Sequence, residues 1–369
     1  MSAAVPTTMR AAVYRPGHFN LAIEDDFPVP EPGSGQVLLK VAACGACHSD
    51  VLLLTNAIID DRTYVLGHEV VGYPAKLGPN VDGIEESQLY SVHVITPCAK
   101  GTIALPPIEQ SIGIGRNGGY AEYVLVEPRQ LVPVPDGIPP EVAAVAGDAL
   151  TTVFNAVHNV AGILPGTNKR VLIYGVGGLG HLALQIAKSY GATVFAVDYR
   201  SVARELAVKL GAERAFSLSE ITNETSKAVP FTVDVVIDFV VNEQSFTLDK
   251  AMTRANADNF NAPPSKIVLV GIFHQSVRRR VHAHSPFPQT GVSAENLPIS
   301  SAELIEFNTQ VLSTCYGSVD DMKSALQLLA SGAVKPVVHT VPLEAVDKAI
   351  NDLRASAIVG RRVIVPGLL

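Results

Sequence analysis

The run Gly175-Val-Gly-Gly-Leu-Gly180 most narrows what this chain can fold into. It follows the apolar, strand-like Arg170-Val-Leu-Ile-Tyr174. It precedes a segment from His181 to Tyr190 in which Leu182, Ala183, Ile186, Ala187 and Tyr190 share one helical face. Strand, glycine turn and helix, followed by the strand-like Thr193-Val-Phe-Ala-Val197, make a βαβ unit. Gly175 permits the tight turn, Gly177 lets backbone approach a pyrophosphate, and Gly180 lets the helix sit close on the strand. With Gly178 and Leu179 between them, these residues are the candidate cofactor loop. The helix start offers free N–H groups and a positive dipole end to phosphate. Asp198 ends the second strand, where a carboxylate accepts hydrogen bonds from both ribose hydroxyls and repels a 2′-phosphate. NAD is therefore favoured over NADP, with Arg200 as the complication, because an arginine there can rescue a phosphate. The competing readings are an unliganded glycine turn and a turn carboxylate.

The rest of the chain extends this pattern. Val202 to Leu210 reads as a helix, and Val233-Asp-Val-Val-Ile-Asp238 and Lys266-Ile-Val-Leu-Val270 read as strands. Short apolar strands alternating with helices predict an α/β, doubly wound parallel sheet. Helical patterns are also expected at Ala149–Ala161, Ser301–Leu312 and Val319–Ser331. The first 150 residues differ, being rich in proline and glycine breaks between strand-like runs such as Val37–Ala43 and Gly119–Val126. With 369 residues the chain is too long for one core. A mostly β domain over 1–150, a nucleotide domain over 151–312 and a closing segment over 313–369 are expected. The polar stretch from His274 to about Pro298 reads as a loop, and its Arg278-Arg-Arg280 and nearby His274, His282 and His284 as a solvated surface.

A second motif lies in the β-rich half. Cys44-Gly-Ala-Cys-His-Ser-Asp50 follows a strand, and Gly67-His-Glu69 comes about twenty residues later. Thiolate and imidazole are ordinary zinc ligands, and a catalytic zinc takes three protein ligands and keeps one position open. By spacing alone, buried packing residues are an equal reading. The order Cys-Gly-x-Cys-His-Ser-Asp, Gly-His-Glu, Gly-x-Gly-Gly-x-Gly and Asp resembles the zinc-dependent medium-chain alcohol dehydrogenases over nearly the whole chain, including the closing Gly360-Arg361. The resemblance implies a GroES-like β-barrel catalytic domain, a Rossmann domain, and C-terminal residues that return to the first domain. It implies hydride transfer between an alcohol and its aldehyde or ketone. By the same resemblance, Cys47 and His68 are zinc ligands, and Ser49 bonds the substrate oxygen and starts proton relay. Asp50 supports His68, Glu69 pairs with Arg361 or approaches the metal, and His48 and Arg361 face the cofactor phosphates.

The chain departs from that family in three places. Where the third ligand is usually a cysteine, Ala144-Val-Ala-Gly-Asp148 places Asp148; a carboxylate can bind zinc, and the alternative is a helix N-cap. The structural-zinc lobe needs four cysteines, but between Ser91 and Gly119 there is only Cys98, so one catalytic zinc per chain is expected. A relay histidine found in some members is Leu52 here. Cys44, Cys98 and Cys315 are read as buried packing residues.

Composition removes other classes. A net charge of −7, without a long basic stretch, argues against nucleic-acid and anionic-membrane partners. No apolar run approaches a membrane span, nothing near the start reads as a signal peptide, and four scattered cysteines do not make a disulfide scaffold. A cytoplasmic homodimer or homotetramer acting on a small molecule is expected. Two rivals stand beside it: a zinc-free quinone or enoyl reductase of the same superfamily, and a non-catalytic nucleotide-binding or redox-sensing protein.

Overall fold

The computed structural model describes residues 4–56, 62–96, 110–222, 231–254, 263–271 and 297–368. Among them, six parallel strands form one sheet in the order Arg214–Phe216, Thr193–Val197, Arg170–Tyr174, Val235–Asp238, Ser265–Val270 and Thr309–Thr314. The sheet is wound outward in both directions from Arg170–Tyr174, the strand that feeds the glycine turn. Its central residues Val171, Leu172 and Ile173 are fully buried, as strands covered on both faces require. Helices Gly180–Ser189, Ser201–Lys209, Glu243–Met252 and Val319–Ala330 accompany it.

One sequence expectation fails here. The helix expected over Ser301–Leu312 stops at Glu306, and Thr309–Thr314 becomes the outermost strand of the sheet. Asn308 turns the chain with a left-handed backbone, φ 47°, after which Thr309 and Val311 pair with Ser265 and Ile267. Sheet pairing with β-branched residues outweighs the local helical period. A smaller difference lies at Ala149–Ala161, where a regular helix over Ala149–Phe154 widens into i→i+5 turns over Asn155–Val160.

A second sheet orders Val338–Pro342, Arg361–Val365, Val37–Ala46, Glu69–Leu77, Tyr90–Val92 and Leu131–Pro133, with Tyr123–Val126 also paired to Val37–Ala46. Thr8–Tyr14 joins Ala22–Pro28 and Tyr64–Val65 in a small third sheet. Two of the seven strands of the second sheet come from the end of the chain, so residues after the parallel sheet return to the β-rich half. Strand register sets where the site residues fall. Gly45 pairs with Glu69, and Arg362 pairs with Ala46. Three strand ends therefore deliver Cys47, His68, Glu69 and Arg361 to one place. The polar stretch with Arg278–Arg280, His274, His282 and His284 lies outside the described residues, as does Cys98.

Candidate metal and dinucleotide site

Cys47, His68, Glu69 and Asp148 are all buried and offer one ligand atom each, all within 4.8 Å of one another. Each arrives by a different route. Cys47 ends the turn between the strand Val37–Ala46 and the helix His48–Asn56. His68 precedes the strand Glu69–Leu77, and Asp148 precedes the helix Ala149–Phe154. The Asp148 carboxylate makes no cap hydrogen bond to that helix. Its Oδ2 lies 3.4 Å from His68 Nε2 and 3.9 Å from Cys47 Sγ, and Thr152 Oγ1 donates to its Oδ1 at 3.0 Å.

Behind the ligand atoms lies Asp50. Its Oδ1 is 3.3 Å from His68 Nδ1, and its Oδ2 accepts from the Cys47 backbone at 2.9 Å and from the Tyr120 hydroxyl at 2.7 Å. Both His68 nitrogens, Asp50 Oδ1 and Glu69 Oε2 are buried without a properly directed hydrogen bond. Buried polar atoms left open in this way are costly unless something completes them. A sulfur, a nitrogen and carboxylate oxygens converging on one point suit zinc, so the residues fit the metal. Electrostatics agree. Burial opposes ionisation of Cys47, but Arg361 and His68 outweigh it and hold the thiol below its ordinary value. Burial alone would depress His68; Asp50, Asp148 and Cys47 overcome it and raise the ring well above its usual range.

Ser49 is buried, with Oγ 3.6 Å from Cys47 Sγ. Arg361 is 2% exposed and ion-paired to Glu69, one of the two partners the resemblance offered for that carboxylate. Its Nη1 also reaches the glycine turn: a Cβ at Gly178 would lie 2.6 Å from it. His48 is held neutral, at about 4, by burial and by the neighbouring charges of Arg361 and Arg200.

The glycine turn has the shape the dinucleotide needs. Gly175 has φ 88°, and a Cβ at Gly180 would overlap the Gly175 carbonyl oxygen. A Cβ at Gly177 would meet nothing closer than Arg200 Nη2 at 3.9 Å, leaving an open cradle. Leu179 sits at the cap of the helix Gly180–Ser189. Asp198 is 4% exposed, with Oδ2 accepting from the Val176 N–H at 2.8 Å and Oδ1 from the Arg200 N–H at 2.9 Å. The Arg200 guanidinium covers the same carboxylate, at 3.1 Å to each oxygen.

Two participants were missed by reasoning from sequence. Tyr120 holds Asp50 across seventy residues of chain, and only its place beside a glycine pair hinted at a tight approach. His181, directly after Gly180, bonds the Gly177 carbonyl through Nδ1 at 2.8 Å and receives the Val337 N–H on Nε2 at 3.3 Å. Among the other cysteines, Cys44 is buried as expected. Cys315 is exposed instead, because it lies past the end of the sheet's outermost strand Thr309–Thr314.

A parallel nucleotide-type sheet joined to a β-rich unit, with a buried S/N/O donor cluster between them, defines the class of a metal-assisted dinucleotide enzyme. Comparisons with known proteins agree. The alcohol dehydrogenase GroES-like domain family matches residues 33–136, and the zinc-binding dehydrogenase family matches residues 178–331. An alcohol dehydrogenase of Geobacillus stearothermophilus is 30% identical, with 96% of this chain and 98% of that protein covered. An NAD-dependent alcohol dehydrogenase of Sulfurisphaera tokodaii is also 30% identical, with 93% and 96% covered. The solved structure of acetophenone reductase from Geotrichum candidum, in complex with NAD, superposes with a TM-score of 0.80 at 29% identity over 98% of both chains. The chain belongs to the zinc-dependent medium-chain alcohol dehydrogenase family.

Proposed function

We propose that this protein transfers hydride between a small alcohol and its aldehyde or ketone, using one catalytic zinc and a nicotinamide dinucleotide, NAD in preference to NADP. The observation that carries the reading is the convergence of Cys47, His68 and Asp148 beside Ser49, tied through Glu69 and Arg361 to the glycine turn. When bound, zinc supplies Lewis acidity toward the substrate oxygen. Cys47, His68 and Asp148 would hold it, with Glu69 Oε2 within reach. Asp50 faces His68 Nδ1, which directs Nε2 toward the cluster and fixes the ring.

Ser49 Oγ bonds the substrate oxygen and takes its proton. With Leu52 in place of a relay histidine, Ser49 would pass that proton onward with the help of the ribose of a bound cofactor or of another group. Arg361 and the N–H groups of the glycine turn hold the pyrophosphate, with His48 beside it as a neutral donor. Asp198 takes the adenosine ribose hydroxyls. Reacting groups held close and shielded from water supply much of the acceleration in such sites.

Several finer points belong to the same proposal. One zinc per chain is inferred from the single cysteine between Ser91 and Gly119. A domain boundary near 150 fits the gap between the strands Leu131–Pro133 and Arg170–Tyr174, whereas one at 312 would cut the parallel sheet's strand Thr309–Thr314, so the second boundary is placed later, before Val338–Pro342. The free edge of Thr309–Thr314 is suited to pairing with a second copy in a dimer or tetramer. A reducing, cytoplasmic setting suits the free Cys47 thiol, and no described helix is long and apolar enough to cross a membrane.

The test combines metal analysis with turnover. Purified protein is expected to hold about one zinc per chain, to oxidise at least one alcohol in a broad panel with NAD, and to lose that rate on chelation. Full activity without metal would instead make it a zinc-free reductase. Dinucleotide binding without turnover on any alcohol or carbonyl would make it a binding protein.

A further inference from the structure

We propose that His181 is a positioning residue for the dinucleotide. Its ring locks the Gly177–Gly178 peptide of the glycine turn to the chain that leads into the strand Val338–Pro342, and so holds the turn and Arg361 in one frame. The proposal rests on the reading of Gly175–Gly180 as the pyrophosphate turn. The two partners fix the state of the ring. The Gly177 carbonyl can only accept, so Nδ1 carries the proton and donates to it at 2.8 Å. The Val337 N–H can only donate, so Nε2 is bare and accepts it at 3.3 Å. His181 is fully buried, and burial keeps the ring neutral, at about 4, as both bonds require.

Each bond acts on a different wall of the phosphate site. The backbone N–H of His181 reaches the same Gly177 carbonyl at 3.3 Å, so the shorter ring bond is the one that sets this peptide's plane. In a trans peptide the N–H points opposite to the C=O, so a Gly177 carbonyl turned toward the helix aims the Gly178 N–H out of the helix start, where a pyrophosphate oxygen would arrive. On the other side, the Val337 carbonyl accepts the Arg361 N–H at 2.8 Å. That approach needs glycine beside it: Gly360 has φ 82°, and a Cβ there would lie 2.3 Å from the Val337 oxygen. The Arg361 guanidinium then returns to the turn, where it lies against Gly178. Gly178, His181, Val337 and Arg361 thus close a ring of contacts between the helix Gly180–Ser189 of one sheet and the strand Arg361–Val365 of the other. Gln185, one helical turn after His181, holds the same segment independently: its Oε1 accepts the Lys335 N–H at 2.8 Å, and its Nε2 donates to the Lys335 carbonyl at 3.2 Å. With Gln185 in place, loss of the His181 ring frees the turn without undocking the segment.

Reduced dinucleotide fluoresces, so binding is read without turnover. The full-length, zinc-loaded protein is titrated with NADH, and ADP-ribose and adenosine are then titrated against the complex by displacement. ADP-ribose carries the pyrophosphate and adenosine does not, so the ratio of their Kd values separates the phosphate site from any general loosening of the fold. H181L removes both ring bonds; H181N keeps a donor for Gly177 and removes the acceptor for Val337. At about fivefold for each buried bond, H181L should weaken NADH and ADP-ribose at least about tenfold while adenosine stays within about threefold of wild type. H181N should weaken NADH and ADP-ribose by about three- to fivefold, again sparing adenosine. ADP-ribose within about threefold of wild type in H181L, adenosine weakened as much as ADP-ribose, or H181N binding ADP-ribose as tightly as wild type overturns the proposal. Should H181L fail to fold, the H181N ratio decides by the same criterion. If the wild type binds neither NADH nor ADP-ribose, the dinucleotide reading itself has failed, a different result from tight binding that the variants leave unchanged.

Discussion

Asp148→Asn separates a metal ligand from a helix cap, because asparagine keeps the shape and the capping ability of aspartate and removes only its charge. Asp148 Oδ2 lies 3.4 Å from His68 Nε2, and at an effective dielectric of about 20 a unit charge pair at that distance interacts by about 5 kcal/mol. Truncating one partner of a buried ion pair costs about 3–5 kcal/mol. The lower end corresponds to about a hundredfold in affinity for a cation held there. The assay is competition against a zinc chelator of known affinity, with bound metal measured directly and the rate followed on the same samples. Zinc affinity should fall at least about a hundredfold, the rate at limiting zinc should follow occupancy, and Asp148→Cys should recover most of both. The Asp148 carboxylate makes no cap hydrogen bond, but it faces the His68 ring that it helps to hold protonated, so the Tm of the metal-free protein should fall as that pair is lost. Zinc affinity within about threefold of wild type would refute the ligand assignment.

Three further outcomes are expected from the same structure. Gly180→Ala places a Cβ on the Gly175 carbonyl oxygen; it should weaken NADH binding more than tenfold and cost about 1–3 kcal/mol of stability, read by fluorescence titration and urea unfolding. His181 is held at about 4 by burial, against an ordinary value near 6.5, so the unfolded chain takes up the proton first. Its contribution is whole above about 6.5 and is lost as pH falls toward 4, by about 3 kcal/mol; His181→Asn should flatten the fall in unfolding free energy between pH 7 and pH 4.5. Asp249 has the opposite sign: burial, and then the neighbouring Asp238, raise its carboxyl well above the usual range, so the folded state holds the extra proton. That stability is complete at low pH and is lost as pH rises through the raised value, so Asp249→Asn should raise the urea midpoint at pH 8 while changing it little at pH 4.

The parts of the site that were legible in the sequence are those fixed by local spacing. Gly175, Gly177 and Gly180 carry their own backbone requirements, and the strand and helix on either side gave them context. Cys47, His68 and Asp148 were recognisable through the resemblance to the zinc-dependent alcohol dehydrogenases, since by spacing alone buried packing residues were an equal reading. What stayed hidden depends on contacts distant in sequence. Nothing near Tyr120 says that its hydroxyl meets Asp50, and while the resemblance offered Glu69 as a partner for Arg361, nothing near Arg361 says that its side chain is fully enclosed. The strand Thr309–Thr314 was misread because Ser301–Leu312 fits a helical period until Asn308 is given weight as a turn. Arg200 was visible as a complication, but its five committed donors belong to the tertiary structure.

The buried charges explain why the two halves of the site are built as one. Arg361, at 2% exposure, could not be tolerated in the interior without Glu69, and Glu69 in turn keeps Oε2 open among the metal-binding atoms. On the other side, the Arg361 guanidinium lies against Gly178, and its Nε has no partner of its own. The line from the donor cluster through Glu69 and Arg361 to the glycine turn therefore alternates in sign, with unsatisfied atoms at both ends. A divalent cation completes the carboxylate end, and a pyrophosphate completes the guanidinium end. Each guest lowers the cost of the buried pair that faces the other. Zinc and dinucleotide should accordingly bind with positive coupling, and by reciprocity the factor by which zinc tightens NADH must equal the factor by which NADH tightens zinc.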